Sequence, residues 1–337
     1  MQCVLLEATD EHLNFKVTNL EIGVETKIKA DTETTGIMAV PTNTLLQTVL
    51  SSPDREIVLR GEDKTLMVEW GKSSSGIKTL AFDDFPHLPD ISDSGDGQVI
   101  KGSMFALGIK SVAFATAVSS IKPELGSVYV LQKKEHTLTF VATDSFRLME
   151  KTIPQKGVVL ADPILIPQKN ALEIARICEA MEEDPILRVN ENLCSLLFPD
   201  GTNVTSRLTN SSFPDYNAII PKEYAAHSVV LKADFANALK KAGIFINKFS
   251  QTTLDVSGKT ITISATNDEV GTTTEPIPAT NEGEDVKLNF NQQYLNDPLS
   301  HINDDSLAIH LAGAARPLVI EGVSDKTLRY LLMPMNR

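Results

Sequence analysis

One stretch of this chain is written three times. LNFKVTNLEIGVETKI at 13–28, LTFVATDSFRLMEKTI at 138–153 and ITISATNDEVGTTTEPI at 261–277 share an apolar alternation that runs into a polar turn. Thr18, Thr143 and Thr266 hold matching places and stand 125 and 123 residues apart. A repeated segment constrains the fold more than any local propensity, because each copy must build the same supersecondary unit.

Other features keep step with these threonines. The sequence predicts a helix from Pro41 (PTNTLLQTVLSS), 23 residues after Thr18, with Thr42 or Asn43 as its cap. A second begins at Ile166 (IPQKNALEIARICEAM), also 23 residues after Thr143, and a third at Phe290 (FNQQYLNDPLSHIND), 24 after Thr266. Phe-Pro segments at 84–91 and 212–219 follow at 66 and 69 residues. Paired alternating runs at 56–70 and 186–198 predict hairpins turning at Gly61-Glu62-Asp63 and Asn190-Glu191-Asn192. Helices from Ser103 and Lys232 align Phe105 with Phe235, Ile109 with Leu239 and Val112 with Ala242, one apolar face at helical spacing. Each repeat therefore reads as an antiparallel sheet with helices on one face, an α+β architecture. Polar seams at 92–98 and 221–228 separate the repeats, giving domains over 1–92, 97–220 and 224–337.

The first repeat is short at its front. The later two start 45 and 39 residues before their threonines, near Gln98 and His227, whereas only 17 residues precede Thr18. A strand and a helix are missing there, and an in-frame extension of at least 22 codons before Met1 is expected from the 39-residue lead. Bare sheet faces and open edges are liabilities that a natural product avoids.

The net charge of −13 argues against a protein that grips nucleic acid, although not against one that encloses it. The three cysteines, Cys3, Cys178 and Cys194, lie far apart and are expected to be reduced and buried. No apolar run is long enough to span a membrane. Catalytic chemistry finds no footing. Gly71-Lys72-Ser73 has only the tail of a phosphate-binding loop, and the six histidines show no zinc-ligand spacing. Acidic pairs such as Asp83-Asp84, Glu182-Glu183 and Asp304-Asp305 read as solvated turns.

Three such repeats, with ATDSFRL in the second, FPDY at its end and a C-terminus reading YLLMPMNR, resemble the bacterial DNA polymerase III β subunit family, the DNA sliding clamps. The resemblance spans the whole chain. It implies three tandem clamp domains, sheets outside and helices inside, with two copies closed head to tail as a ring. It also implies a non-catalytic processivity factor, with no cofactor and no metal, located in the cytoplasm at the nucleoid. Its partners would be double-stranded DNA, held topologically without regard to sequence, and a second copy of itself. Short peptides of the polymerase III α subunit, the clamp loader, other polymerases and repair proteins would bind a hydrophobic groove.

Carried over position by position, that groove comprises Leu125, Thr143, Phe146, Arg147, Leu148, Pro214 and Ile219 from the second repeat. The third contributes Asn291, Tyr294, Pro317, Leu331, Met333, Pro334 and Met335. Adaptable methionines suit many related peptides, while Arg147 and Asn291 are expected to orient the ligand. Family members commonly carry Gly-His where this chain has Ser145-Phe146, and a basic residue in place of Ala218, so a more apolar rim is expected. Lys110, Lys122, Lys169, Arg176, Lys240 and Lys241 are expected to face DNA through weak phosphate contacts. Ile77 and Leu80, with the 41–52 helix, would meet Ile244 and Phe245 across the dimer contact. A monomeric clamp-like adaptor that keeps the groove without closing a ring is the alternative, and the shortened first repeat motivates it.

Overall fold

The computed structural model describes residues 3–53, 56–81, 85–86, 91, 97–118 and 121–335. Most of the first Phe-Pro segment, the Asp83-Asp84 pair and most of the 92–98 seam lie outside the described residues. The chain forms two compact units, residues 1–102 with 177–208, and residues 103–176 with 209–337. These units cut across the sequence repeats, because neighbouring repeats share sheets.

In the first unit an eight-stranded antiparallel sheet runs in the order Gly36–Pro41, Cys3–Ala8, His12–Thr18, Ile22–Lys29, Asn203–Arg207, Leu193–Leu197, Ile186–Val189, Gln98–Val99. The seam between repeats is the pairing of Val24 with Val204 and Ile22 with Ser206. A three-stranded sheet, Val58–Glu62, Thr65–Trp70 and Ser73–Lys78, supplies Leu66, Val68 and Ile77 to a core shared with Val4, Leu6, Val40 and Leu45. Its hairpin turns at Asp63-Lys64, one residue later than expected. Glu62 pairs with Thr65, and Asp63 takes the left-handed φ of 49°.

The first helix, α1 (Thr42–Leu50), has Pro41 itself at the N-cap and no side-chain cap, which corrects the expected Thr42 or Asn43. Both threonine and asparagine are already inside the helix, where their side chains cannot reach back to the free N–H groups.

In the second unit a twelve-stranded antiparallel sheet is ordered Ile164–Pro167, Ser127–Leu131, Thr137–Thr143, Arg147–Pro154, Leu328–Leu332, Leu318–Gly322, Ser306–Leu311, Ala226–Leu231, Gly271–Gly283, Thr260–Asn267, Gln251–Ser257, Val286–Asn291. Here too a seam is built by strand pairing, with Leu148 opposite Leu331. Helix α2 (Gly102–Val112) buries Phe105, Ile109 and Val112, as its spacing predicts. Gly108 lets this helix approach the sheet: a Cβ there would stand 2.5 Å from the Phe140 ring. Helix α3 spans Gln168–Ala180, and α4 spans Lys232–Ala242, burying Phe235, Leu239 and Ala242. The third expected helix is short. Helix α5 (Gln292–Asn296) gives way to a 3-10 turn at Asp297–Ser300, where Pro298 lacks the N–H that an α-helix needs.

All three cysteines are free and buried, as their spacing suggested. Among the described residues no helix is long and apolar enough to cross a membrane.

Candidate functional site: an apolar sheet face in the second unit

The repeated Thr-Asn/Asp signature is a turn. Thr143 Oγ1 donates to the Arg147 carbonyl at 2.6 Å and accepts from the Ser145 amide at 3.2 Å. The Asp144 carboxylate accepts from the Phe146 and Arg147 amides at 2.9 and 3.0 Å. Thr18 and Asn19 make the same four bonds with Ile22, Leu20 and Glu21 in the first repeat. The third residue of each turn is left-handed, Leu20 and Ser145 both at φ 79°. Side-chain oxygens thus satisfy donors and acceptors that the ladder leaves free. The third repeat differs by one residue: Thr266 pairs with Thr272, and the Asn267 side chain accepts from Glu269.

In the second repeat this turn positions Arg147. Its guanidinium donates to Asp144 at 3.0 Å, to Asp297 and to the Phe114 carbonyl at 2.8 Å, and lies 4.1 Å from the Tyr294 ring centre. Burial pulls the guanidinium pKa down, but the Asp297 hydrogen bond and the charges of Asp144 and Asp297 leave it above its ordinary value. Arg147 thereby clamps the turn, each of its three nitrogens donating at least one bond within the protein. Asn291 is likewise engaged as the N-cap of α5, its Oδ1 accepting from Gln293 and Tyr294 at 2.9 and 3.3 Å.

The turn also sets the sheet face. Thr143, Leu148, Leu331 and Val319 lie in one cross-strand row, since each pairs with the next. Leu148, Leu331 and Val319 are buried with Val141 and Tyr216 in one apolar cluster. Tyr129, Leu131, Phe213, Ile220, Tyr224 and Met333 pack against it. Phe213 stacks on Tyr129 with ring centres 4.4 Å apart. The Tyr216 hydroxyl donates to Glu150 at 2.7 Å, and burial, then that carboxylate, pushes its pKa up. Beyond the last strand the Met333 amide donates to the Phe146 carbonyl at 2.8 Å, and the Met335 amide to the Asn289 carbonyl at 2.7 Å. Pro334, which has no N–H, sits between these two latches.

Among the expected groove residues, the solvent-facing ones are Phe146 (63% exposed), Ile219 (47%) and Pro214. Tyr294, Pro317, Met333, Pro334 and Met335 are half-buried. Leu148 and Leu331 are closed off from solvent and form the floor, so a ligand would touch what lies above them. Leu125 is buried as well, but is not a member of the cluster. Sequence reasoning missed Val319, Tyr216, Phe213, Tyr224, Asp144 and Asp297. FPDY carried Phe213 and Tyr216 in plain view, and only its proline was chosen. Val319 and Leu331 are cross-strand partners, and strand pairing alone reveals that.

The expected cationic residues all lie on solvent faces: Lys110 on α2, Lys122 after it, Lys169 and Arg176 on α3, Lys240 and Lys241 on α4. Arg176 pairs with Glu173 at 2.9 Å and Lys241 with Glu275 at 2.8 Å. Of the expected contact residues, Leu80 and Ile244 are 46% and 66% exposed and Phe245 is half-buried. Ile77 is not at the surface. At 4% exposure it packs in the core of the first unit, whereas Leu46, Val49 and Leu50 of α1 are exposed. A separate cavity of about 580 Å³ opens beside Leu231, Ala236 and Leu299, sharing Asp297 with the Arg147 clamp but none of the apolar cluster.

The sequence profiles of the DNA polymerase III β subunit N-terminal, central and C-terminal domains match residues 1–89, 99–215 and 217–336 in that order. The chain belongs to the DNA polymerase III β subunit family. Beta sliding clamps of Rickettsia felis and Caulobacter vibrioides are each 27% identical to it, over 98% of this chain and 91% of theirs. Its fold matches the sliding clamp of Pseudomonas aeruginosa with a TM-score of 0.92 at 24% identity, covering 100% of this chain and 92% of that one. The β subunit of Thermotoga maritima matches at 0.93 and 22%, covering 100% and 91%. Family and fold together make this a sliding clamp of three clamp domains.

Proposed function

We propose that two copies of this chain close head to tail around duplex DNA, and that the apolar face at Phe146 and Met333 tethers partner proteins by short hydrophobic peptides. The observation that carries the tether is the row Thr143–Leu148–Leu331–Val319, a rigid apolar floor bordered by exposed Phe146 and Ile219 and by half-buried methionines. An apolar surface with adaptable rims suits peptides of related but unequal sequence. The peptides would come from the polymerase III α subunit, the clamp loader, other polymerases and repair proteins.

Domain limits of 1–92, 97–220 and 224–337 accompany this reading. In the ring, exposed Leu46, Val49, Leu50 and Leu80 of the first repeat would meet Ile244 and Phe245 of the third repeat in the second copy. Lysines 110, 122, 169, 240 and 241, with Arg176, would face the duplex. At least Arg176 and Lys241 are already paired, and the chain is acidic overall, so the grip on phosphates is weak. Weak grip is what sliding needs, because retention comes from enclosure. The protein would act without catalysis, in the cytoplasm at the nucleoid.

Retention on DNA tests this directly. The chain, loaded on a nicked circular plasmid, should co-elute with it and be released when the plasmid is linearised, and light scattering should report a dimer. A monomer that binds peptides yet never stays on circles would establish the adaptor reading instead.

A further inference from the structure

We propose that His227 and His310 form a two-imidazole site for a divalent transition metal ion with tetragonal preference, Cu²⁺ or Ni²⁺. The residues are 83 positions apart in sequence, so no ligand motif announces them. Antiparallel pairing of Ala226–Leu231 with Ser306–Leu311 sets them directly opposite each other. Their Nδ1 atoms face each other at 2.7 Å, with ring centres 4.9 Å apart and planes at 73°.

Without metal, one Nδ1 must carry a proton and donate it to the other. Binding a metal displaces that proton to solvent and turns both Nδ1 lone pairs from each other onto the ion. At metal–nitrogen distances of about 2.0–2.1 Å, a separation of 2.7 Å subtends about 80–85° at the ion. That is close to the right angle of adjacent positions in a square-planar or octahedral field. Adjacent positions on a tetrahedral ion such as Zn²⁺ stand about 3.3 Å apart, so a tetragonal ion asks the smaller opening of the hydrogen-bonded pair.

The surroundings favour binding. The two strands hold both Cα positions, so little freedom is lost when the ion arrives. Tyr224 packs its ring against both imidazoles, at 5.5 and 5.1 Å between centres. Lys326, Arg329 and Glu321 are the charged groups that act on His310 from the neighbouring strands and the turn joining them. The neutral imidazole is the ligating form. Lys326 and Arg329 are themselves paired with Glu321, at 3.5 and 2.8 Å, which tempers their repulsion of a cation. Glu282 is the cross-strand partner of His227 on the other side, and among the described residues no third ligand-type side chain joins the pair. Water completes the coordination.

The test is calorimetric titration of the full chain at pH 7.5 with Cu²⁺ and Ni²⁺ alone, repeated on His227→Gln and His310→Gln. One ion should bind per chain, and either variant should lose at least about tenfold in affinity, since loss of outer-shell partners alone costs 10- to 100-fold. The Cu²⁺ complex should show electron-paramagnetic coupling to two imidazole nitrogens, and each variant should lose that two-nitrogen signature. Thermal melts of both variants confirm that they fold. Equal affinity in wild type and both variants, or a spectrum without paired nitrogens, would overturn the site and leave a simple histidine hydrogen bond.

Discussion

The amide of Met333 donates to the carbonyl of Phe146 at 2.8 Å, joining the last strand of the third repeat to the signature turn of the second. Residues far apart in sequence thereby share one rim. The bond fixes backbone, with Phe146 mostly in solvent and Met333 half-buried against the apolar cluster. A rim held by its backbone can present adaptable side chains at little cost to stability.

The floor behaves differently. Leu148 is fully buried under Leu331, Val319 and Tyr216. Leu148→Ala should therefore unfold more easily, by about 2–5 kcal/mol, as a cavity opens in the sheet face. Urea denaturation measures this. A change within about 0.5 kcal/mol, typical of a surface position, would show that the row is not packed as described.

Ser145 and Leu20 both take φ 79° at the third place of the repeated turn. A side chain there costs about 1–2 kcal/mol, partly offset by the extra freedom glycine has when unfolded. Ser145→Gly and Leu20→Gly should each raise stability by up to about 1 kcal/mol, seen as a higher melting temperature. Lower stability in both would mean the turn does not constrain its third residue.

Arg147 serves Asp144, Asp297, the Phe114 carbonyl and the Tyr294 ring together. Arg147→Met leaves two carboxylates uncompensated and should cost about 3–5 kcal/mol. Arg147→Lys should fall between, since one ammonium cannot span the same partners. If lysine restores full stability, the bidentate clamp is not what holds the turn.

Burial holds the His301 imidazole below its ordinary 6.5, reinforced by Lys110 and opposed by Asp297. Its ring lies flat on Phe114, centres 4.7 Å apart. The unfolded chain takes up this proton near pH 6.5 and the folded chain only at lower pH. Between those values the unfolded state binds more protons, so stability falls as pH drops. His301→Phe keeps the stack and should flatten the decline of the urea midpoint from about pH 7.5 to 5.5, with His310 still contributing. An unchanged slope would exclude His301 as a contributor.

Much of this was legible in the residues. The repeat spacing located α1, α3, α4 and the signature turns, because period and turn chemistry are local properties. Ile77 was misplaced because alternation says which residues share a strand face, not which face meets the core. The burial of Leu148 and Arg147 was not legible locally, because burial depends on what crosses above them. Leu331 and Asp297 arrive from more than 140 residues away, and no local pattern encodes that meeting. The same limit hid His227 and His310 from each other. The 83–84 and 92–96 positions lie outside the described residues, and their expected roles stand as proposals.

The central claim is that the Phe146–Met333 rim captures hydrophobic peptides. Its most direct measurement is the affinity of a fluorescent C-terminal peptide of the polymerase III α subunit for the wild-type chain and for Phe146→Ala with Met333→Ala. Each truncation removes apolar contact worth up to about 1.5–3 kcal/mol, so the double variant should bind at least tenfold more weakly while still melting cooperatively as a folded chain. Lys240→Ala with Lys241→Ala, on the helix face, should bind the peptide normally. Undiminished binding by the folded double variant at the rim would contradict the assignment of this face.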